Sequence, residues 1–460
     1  MAEHPAPAAA SWVDDILFTG RPTDICLRLP EPVDKGTLQC LVGEAQTRLA
    51  AAGLRPGGAA ALRLPPSLAY VVNLLATWRS GAQAVLLDHR LTDHEVDRAL
   101  ERLTPQVVVA PVRTGAGALR VFVDVTEGTT PWSDRPAGSP HAVIQLSSGS
   151  TGPSKVIGRT VEDLVGEVHR YTMIDGVALP GERIILLPSM VHVLGLVGGL
   201  LYGLHAGVEL CPPERLGGDA VLAAIAAQDT PATVLGVPFH IGLLASTRPS
   251  GPLPQLKRMT TGGELVPAAV ARAFTDRYGV PLGNMYGMTE VGVIGTDLYG
   301  RHHPGIAPAP GIQVREQGGE LWVSCPASPY VGLADPTRWA DGWLHTRDAG
   351  TVDPDTGLVT VKGRLDSQVS VGGLKVDLTE VEATVAELPG VGVAVVVWDD
   401  GITAYVQPDG PLSEETLDKL LAERLAGYKR PRTLHLLDQL PRTTTGKLVR
   451  SARTLRDAAS

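Results

Sequence analysis

The sequence predicts an α/β protein with a large N-terminal domain of helix-covered, mostly parallel sheets and a small C-terminal α+β domain. Its 460 residues exceed what one hydrophobic core usually holds. Helical patterns alternate with short apolar strands as far as about residue 360, which is typical of parallel sheets covered by helices. The pattern then changes within the stretch 363–368. We therefore predict domains at residues 1–364 and 365–460.

The first domain shows this alternation in two successive helix and strand units. Ser67 opens an apolar helical pattern that ends at Gly81, before the strand-like "AVLLD". The segment "TDHE", Thr92 to Glu95, has the spacing of a capping box, and Pro105 leads from its helix into the apolar strand "VVVAP". In such an architecture, the loops after the strands carry the ligands.

The second domain has helices and strands of its own. The segment "DLTEVEATVAEL" predicts a short helix, and "VGVAVVVWD" and "ITAYVQP" predict a pair of strands. The segment "SEETLDKLLAERLA" predicts an amphipathic helix. Its apolar face consists of Leu417, Leu420, Leu421 and Leu425.

Composition and charge exclude several classes of protein. With 44% hydrophobic, 19% charged and 4% aromatic residues, the chain is globular rather than disordered or fibrous. A net charge of -9 leaves no basic stripe for a nucleic-acid partner. The four cysteines form no C-x-x-C pair, which argues against structural zinc and disulfides and favours a reducing cytoplasm. They are Cys26, Cys40, Cys211 and Cys325.

The sequence also argues against export and against a membrane partner. Residues 1–18 contain no basic region followed by an apolar segment. The apolar run 190–208 is almost long enough to span a bilayer. It carries two histidines and five glycines and lacks basic flanks, so we expect a buried helix and turn there.

The polar loop "QLSSGSTGPSK", residues 145–155, follows an apolar run. Its glycines let the backbone approach an anion, and its hydroxyl and N–H groups can donate to phosphate oxygens. The loop is therefore suited to a polyphosphate. A Ser/Gly turn without a ligand is the alternative interpretation.

A P-loop nucleotide site does not match either lysine-containing segment. That motif requires G-x-x-x-x-G-K-[ST]. Lys155 lacks the preceding glycine and is followed by Val156. In "TTTGKL", Pro441 stands where the first glycine is needed, and Leu448 stands where the hydroxyl is needed.

The loop is the first of five patterns that occur in a fixed order between residues 147 and 450. They are "SSGSTGPSK", "NMYGMTE" at 284–290, "GWLHTRD" at 342–348, "GRLDSQVSVGGLKVDLTEVEA" from Gly363, and "LPRTTTGKLVR" at 440–450. Together they resemble the motifs of the adenylate-forming superfamily, which includes acyl- and aryl-CoA synthetases, adenylation domains of nonribosomal peptide synthetases and firefly luciferase. The chain departs from the usual pattern at Ser154, Val156 and Arg347.

The resemblance implies two half-reactions. A carboxylate attacks the α-phosphorus of ATP to give acyl-AMP and pyrophosphate, and a thiol then attacks the acyl carbon and expels AMP. Because the first step brings two anions together, catalysis must depend mainly on positioning and charge neutralisation.

The same resemblance implies roles in nucleotide binding. Thr289 would donate to the α-phosphate, and Glu290 would hold Mg²⁺, although it could also be a surface carboxylate. Asp348 would accept hydrogen bonds from the ribose hydroxyls; its alternative interpretation is an exposed loop acid. Tyr286 would stack on adenine; its alternative interpretation is a core aromatic residue. The other residues assigned to ATP are Ser147, Ser148, Gly149, Ser150, Thr151, Gly152 and Lys155 around the phosphates, Arg364 beside the ribose or phosphate, and Gly262, Gly263 and Glu264 opposite the adenine.

Lys447 would place a cation between the acid carboxylate and the α-phosphate during the first half-reaction alone. A solvated lysine is its alternative interpretation. The resemblance implies a mobile C-terminal domain with its hinge at Asp366, whose rotation replaces Lys447 with a segment lining the thiol tunnel. Gly372 and Gly373 would keep that tunnel open because they have no side chain.

The implied acid site is apolar, which favours an aryl or short alkyl acid. His192 is similar in position to a residue that gates the carboxylate in many relatives, or it is a core histidine bonded to backbone. No aspartate for an α-ammonium group appears in 188–200, which disfavours an α-amino acid. The remaining residues assigned to the acid are Val193, Leu196, Val237, His240, Gly262, Met285, Val291 and Val293, of which His240 has a structural role as an equal alternative.

Both CoA and a carrier-protein pantetheine are possible thiol acceptors, because "YKRPRTLHLLDQLPRT" resembles CoA ligases and "RLDSQVSV" resembles carrier-loading domains. Transfer to an amine or another nucleophile is a further alternative.

A degenerate nucleotide-binding protein and a phosphotransferase are the other hypotheses for the function of this chain. The first would release no pyrophosphate with any acid, and the second would form ADP instead of AMP.

Overall fold

Helices begin where the sequence offers side chains that cap a first turn. Asp34, Ser67 and Thr160 each accept a hydrogen bond from the backbone N–H three residues on, which satisfies one free donor of the helix. A computed structural model describes residues 11–114, 122–147, 155–263, 266, 268–365, 367–441 and 448–459. Its α-helices are α1 (Lys35–Ala51), α2 (Leu68–Arg79), α3 (Asp93–Leu103), α4 (Val161–Thr172), α5 (Tyr202–Ala206), α6 (Gly218–Ala226), α7 (Pro238–Ser246), α8 (Ala268–Tyr278), α9 (Leu378–Ala386), α10 (Glu414–Arg424) and α11 (Ala452–Ala459).

The apolar stretches that the sequence marks as strands form strands, including "AVLL", "VVVAP" and the pair in the C-terminal region. The strands are β1 (Ile25–Leu27), β2 (Val33–Asp34), β3 (Ala59–Leu62), β4 (Gln83–Leu86), β5 (Val107–Thr114), β6 (Val125–Pro131), β7 (Val143–Ser147), β8 (Lys155–Arg159), β9 (Arg183–Leu186), β10 (Glu209–Cys211), β11 (Ala232–Gly236), β12 (Leu256–Gly262), β13 (Leu282–Met288), β14 (Gly292–Asp297), β15 (Ala307–Pro308), β16 (Val314–Gln317), β17 (Glu320–Ser324), β18 (Trp339–Ala340), β19 (Trp343–Val352), β20 (Val359–Arg364), β21 (Gln368–Val371), β22 (Leu374–Asp377), β23 (Val391–Trp398), β24 (Ile402–Pro408) and β25 (Thr433–Leu436).

Two large sheets have parallel centres, and β2, β6, β14 and β15 pair with their neighbours in the antiparallel direction. The nine-stranded sheet has the order β15-β14-β13-β12-β11-β9-β10-β1-β2, and its strands from β13 to β1 are parallel neighbours. The six-stranded sheet has the order β6-β5-β3-β4-β7-β8, with parallel pairing from β5 through β7. The predicted α/β fold with mostly parallel sheets is confirmed.

Three smaller sheets are antiparallel in most of their pairings. One joins β16, β17, β18, β19 and β20, another is the pair β21 and β22, and the third has the order β23-β24-β25. In the last of these, β23 and β24 are the predicted pair of strands, and they are antiparallel. The turn between them lies at Asp399, Asp400 and Gly401.

The apolar run 190–208 is a buried helical segment. Residues Leu194–Leu201 form a π-helical stretch that continues directly into α5. Seven of its eight residues are buried, from Gly195 to Leu201. Among the residues that the structure describes, no helix is both long enough and apolar enough to cross a bilayer.

The chain divides into two units. The first contains residues 1–89, 103–145 and 156–363, and the second contains 90–102, 146–155 and 364–460. The second unit has its own apolar core, in which Leu417, Leu421 and Leu425 are buried and Leu420 packs against them. The predicted apolar face of this helix is therefore confirmed.

Within the second unit, Lys429 links α3 to α9. Its Nζ lies 2.8 Å from Oε1 of Glu95 and 3.1 Å from Oε1 of Glu380, and its side chain is only 8% exposed. Burial alone lowers the pKa of Lys429, but Glu380, Tyr428 and Glu95 outweigh it, so the pKa lies above the ordinary lysine value. The ammonium group is therefore a permanent cation shared by two carboxylates.

Candidate active site

The residues predicted to bind acid and nucleotide lie at the carboxyl ends of neighbouring parallel strands in the nine-stranded sheet. His192 follows β9, Val237 follows β11, Gly262 ends β12, and Thr289 follows β13. These four strands are parallel neighbours, so their carboxyl ends lie side by side. Ligands of open α/β sheets bind at this edge.

The turn between β13 and β14 carries Thr289 and Glu290. The two strands are antiparallel, so the turn is short. The hydroxyl of Tyr330 donates to Oε1 of Glu290 at 3.1 Å. Burial, and then the charge of Glu290, raise the pKa of Tyr330 well above its usual value. The phenol therefore stays protonated and keeps this carboxylate in place.

A buried ion pair supports the same turn. Glu167 is fully buried; its Oε2 lies 2.5 Å from Nη1 of Arg159, and its Oε1 accepts the N–H of Val293 at 3.0 Å. Gly292 has a φ of 80°, and a Cβ on it would overlap the Glu167 carboxylate. Glycine is needed here both for its left-handed conformation and for space.

The Gly292→Ala variant is expected to lose about 3 kcal/mol or more of unfolding free energy, because it combines a strained φ with disruption of a buried ion pair. The measurement is urea-induced unfolding at pH 7. Gly319→Ala is the matched control, since Gly319 has a φ of 83° but, in the part of the chain that the structure describes, no atom within 4 Å of its Cβ position. That variant should lose only about 1 kcal/mol. Equal losses in the two variants would rule out the role of the ion pair.

Tyr286 and Asp348 form a hydrogen-bonded pair. The hydroxyl of Tyr286 donates to Oδ2 of Asp348 at 2.6 Å. Asp348 is buried, and its N–H donates to Oγ1 of Thr346 at 3.0 Å. The Tyr286 ring also packs against the apolar cluster of Ile306, Leu321 and Val359. Tyr286 and Asp348, which are predicted to bind adenine and ribose, are therefore in direct contact with each other.

Arg347 occupies the position where glycine is usual. Its φ is 62°, a left-handed conformation that glycine adopts without strain. Two hydrogen bonds hold the arginine there. Its N–H donates to Oε1 of Glu320 at 2.8 Å, and its Nη2 donates to the carbonyl of Thr337 at 2.6 Å. The departure from the usual motif therefore preserves the backbone conformation next to Asp348.

The predicted acid pocket is largely buried and apolar. Gly262 pairs with Met285 across β12 and β13. A Cβ on Gly262 would lie 2.7 Å from the Met285 carbonyl and 3.5 Å from Cδ2 of Leu194, so glycine permits this close packing. The other pocket residues are Leu196, Val237 and Val293, which are buried, and Val193 and Val291, which are partly buried.

Met285 lines a small cavity of about 20 Å³. The other walls include Tyr171, Tyr202 and Leu298, and the hydroxyl of Tyr171 donates to Sδ of Met285 at 3.1 Å. A cavity of about this size holds one water molecule. Met285 therefore fills space that a smaller side chain would leave open.

His240 caps the helix that follows β11. Its Nδ1 accepts the N–H of Val237 at 3.0 Å, and the residue is 7% exposed. Burial lowers the pKa of His240 to about 4. The geometry supports its structural interpretation, and its predicted contact with the acid stays a prediction.

The low pKa of His240 predicts a stability change between pH 6.5 and pH 4. Because the folded-state pKa is below the unfolded one, its contribution is present above pH 6.5 and is lost as the pH falls to about 4. The loss is expected to reach about 3 kcal/mol. His240→Asn keeps an acceptor without titrating, so its unfolding free energy, measured in urea, should fall less over this range. An identical pH dependence in both proteins would contradict this.

His192 lies opposite a buried aspartate. Its Nε2 is 3.6 Å from Oδ2 of Asp88, and its side chain is 42% exposed. Asp88 follows β4 of the six-stranded sheet, whereas His192 follows β9 of the nine-stranded sheet. Sequence reasoning did not select Asp88, although it ends the strand-like "AVLLD". It did not select Tyr330 either, which lies in no motif.

Several predicted residues belong to the second unit or lie outside the described residues. Lys155 begins β8, and Arg364 ends β20; Gly372 and Gly373 form the turn between β21 and β22 with φ values of 57° and 85°. Gly263 is described, with a φ of 89°. Ser147 ends β7. The predictions that fall outside the described residues concern Ser148, Gly149, Ser150, Thr151, Gly152, Glu264, Asp366 and Lys447.

This fold and this arrangement of residues define an AMP-forming ligase. The chain belongs to the family of AMP-binding enzymes, which its residues 37–322 match, and residues 380–447 match the C-terminal domain of the same family. Membership of the adenylate-forming superfamily is thereby confirmed, and the protein is an ATP-dependent acid–thiol ligase.

Individual relatives are similar over most of the chain. A feruloyl-CoA synthase of Amycolatopsis sp is 32% identical over 87% of this chain and 89% of its own length. A 4-chlorobenzoate–CoA ligase of Arthrobacter sp is 26% identical over 89% of this chain and 87% of its own. The solved o-succinylbenzoate CoA synthetase of Bacillus subtilis, with a product analogue bound, has a TM-score of 0.80 at 24% identity and covers 95% of this chain and 96% of its own.

Proposed function

We propose that this ligase activates an aryl or short acyl carboxylic acid and transfers it to the thiol of CoA. The observation that carries the proposal is the strand β13 with its turn. Tyr286 on this strand is hydrogen-bonded to Asp348. Glu290, in the turn, follows Tyr286 by four residues. The acid class is supported by the apolar residues around Met285 and by the activities after which the similar ligases are named.

Glu290 fits the requirements of a magnesium ligand. Mg²⁺ prefers oxygen donors and is usually held by one or two carboxylates together with substrate phosphates. Glu290 is partly exposed, and Tyr330 fixes one of its oxygens at 3.1 Å. The ion would supply positive charge to the phosphates. Thr289, next to it in the turn, would donate its hydroxyl to the α-phosphate.

Asp348 and Tyr286 would bind the nucleoside. Asp348 has two acceptor oxygens, which suits the two ribose hydroxyls. Tyr286 already donates to one of these oxygens, so it orients the carboxylate as well as offering a ring face to adenine. Lys155, Arg364 and the loop 147–155 would hold the remaining phosphate charge, and Lys447 would act only in the first half-reaction.

The test is a hydroxamate-trapping screen of aryl and short acyl acids with ATP. Hydroxylamine captures acyl-AMP whatever the natural acceptor is. We expect at least one aryl acid to give a hydroxamate together with stoichiometric pyrophosphate and AMP. If no acid gives a hydroxamate or releases pyrophosphate, a degenerate nucleotide-binding protein is supported. Formation of ADP would support a phosphotransferase.

The acceptor is tested on the acids that react. Each reactive acid is incubated with ATP and, separately, with CoA, a pantetheinylated carrier protein or a primary amine, and the products are identified by mass spectrometry. We expect the CoA thioester to form fastest. Faster loading of the carrier protein, or faster formation of an amide, would replace CoA with that acceptor while leaving the adenylation step intact.

A further inference from the structure

A buried carboxylate lies directly behind the histidine of the predicted acid site. Asp88 is 6% exposed, and its Oδ2 is 3.6 Å from Nε2 of His192. Its other oxygen, Oδ1, is 3.6 Å from Nδ1 of His89. The carboxylate therefore lies between two imidazoles, one of which belongs to the acid site. Both distances are longer than those of ordinary hydrogen bonds.

The His192 ring has an inner and an outer side. Its Nε2 is buried and has no hydrogen-bond partner among the described residues, although the side chain as a whole is 42% exposed. The exposed surface therefore belongs to the rest of the ring. The inner nitrogen is close to Asp88, and the outer part of the ring is accessible.

The backbone beside His192 is fixed by other groups. The hydroxyl of Tyr70 donates to the carbonyl of Met190 at 2.9 Å, and Nε2 of Gln145 donates to the carbonyl of Val191 at 2.5 Å. The N–H of Leu196 donates to the carbonyl of His192 at 2.8 Å. These bonds hold the backbone of the segment that carries His192, and Asp88 is close to the His192 ring itself.

We propose that Asp88 is a positioning residue that directs Nε2 of His192 inward and thereby presents the outer nitrogen, Nδ1, to the carboxylate of the incoming acid. The buried Asp88 carboxylate lies 3.6 Å from Nε2 and so favours the ring orientation in which that nitrogen points inward. The other ring nitrogen is then the one available to the carboxylate of the acid. The inference rests on the proposed function, because it requires a carboxylic acid at His192.

A buried phenol lies close to the Asp88 carboxylate. Burial together with the negative charge of Asp88 raises the pKa of Tyr70 well above its usual value. The phenol therefore remains a donor to Met190. Among the described residues, the titratable groups near the carboxylate include His89, His192 and Tyr70.

The test compares Asp88→Asn with the wild-type protein on an acid that reacts in the hydroxamate screen. Asn has nearly the same shape but no charge. The KM for the acid should rise about tenfold, since a hydrogen bond to a charged group is weakened. The KM for ATP should change less than about twofold, because His192 is assigned to the acid and not to the nucleotide.

A double-mutant cycle shows whether Asp88 acts through His192. In a His192→Gln background, Asp88→Asn should add no further change to the KM for the acid, because the coupled ring is gone. His89→Gln is the matched control, since His89 touches the other oxygen of the same carboxylate, and it should leave the acid KM within about twofold of wild type. If Asp88→Asn does not fold by circular dichroism, Asp88→Glu is compared in the same two backgrounds.

The outcomes separate this inference from the proposed function. An unchanged acid KM in Asp88→Asn, an effect that persists in the His192→Gln background, or an equal effect of His89→Gln would overturn the role of Asp88 while leaving the ligase activity established. A wild-type protein that activates no acid would overturn both. An acid-specific rise in KM that disappears in the His192→Gln background supports the assignment.

Discussion

Replacing Glu290 by Gln is expected to reduce acid-dependent pyrophosphate release by at least about 100-fold, because the substitution removes the negative charge of the proposed magnesium ligand, and such a ligand contributes several kcal/mol in the transition state. The amide oxygen can still accept from Tyr330, so the turn itself should keep its shape. The measurement is the initial rate of pyrophosphate release at saturating acid and ATP, repeated over a range of Mg²⁺ concentrations.

Tyr330→Phe is the control for this variant. It removes the 3.1 Å hydrogen bond to Glu290 but leaves the carboxylate charge in place. Its rate should fall only about fivefold, as expected for one hydrogen bond. A Glu290→Gln enzyme that keeps more than a tenth of the wild-type rate, at any Mg²⁺ concentration, would exclude Glu290 as the metal ligand.

Replacing Lys447 by Ala is expected to lower acid-dependent pyrophosphate release by about 100-fold or more, because two anions must then meet without a cation between them. Transfer of the acyl group from added acyl-AMP to CoA should change by less than about threefold, since this lysine is assigned to the first half-reaction alone. Both half-reactions are followed separately, the first by pyrophosphate and the second by thioester formation.

Lys419→Ala provides the matched comparison for Lys447. Lys419 is an exposed lysine on α10, 72% accessible, and among the described residues its ion-pair partner is Glu415. Its loss should leave both half-reactions within about twofold of wild type, as expected for a surface ion pair. If Lys447→Ala slowed both half-reactions equally, the lysine would contribute general binding of the nucleotide rather than charge neutralisation during adenylation.

Much of the fold follows from local patterns in the sequence. Ser67 and the apolar residues after it specify α2, and the hydrophobic face of α10 specifies its packing in the second unit. The motif "NMYGMTE" indicates where the nucleotide-binding turn lies. These features depend on residues close to one another in the chain, so propensity, capping and periodicity suffice to predict them.

The support beneath the site depends on distant residues. Glu167 on α4 accepts the N–H of Val293, and Tyr330 donates to Glu290; neither contact has a signal in the sequence around it. Buried polar groups need partners, but any of many polar residues can supply them. The sequence therefore predicted the turn that carries Thr289 and Glu290 but not the residues that support it.

His240 and Arg347 illustrate the same division at single positions. A sequence alone cannot distinguish a histidine that touches a ligand from one whose Nδ1 caps a helix, because the difference is a bond to the N–H of Val237. Arg347 looks like a defect in a glycine motif, yet it keeps the left-handed φ of 62° with two hydrogen bonds.

The sequence by itself determined the order of helices and strands, the family and the chemistry that its motifs can perform. Only the tertiary structure decided that Oδ2 of Asp88 and Nε2 of His192 lie 3.6 Å apart. The two residues follow strands of two different sheets. The physical reason is that secondary structure depends on neighbouring residues, whereas the meeting of two sheet edges depends on how whole layers pack around a common core.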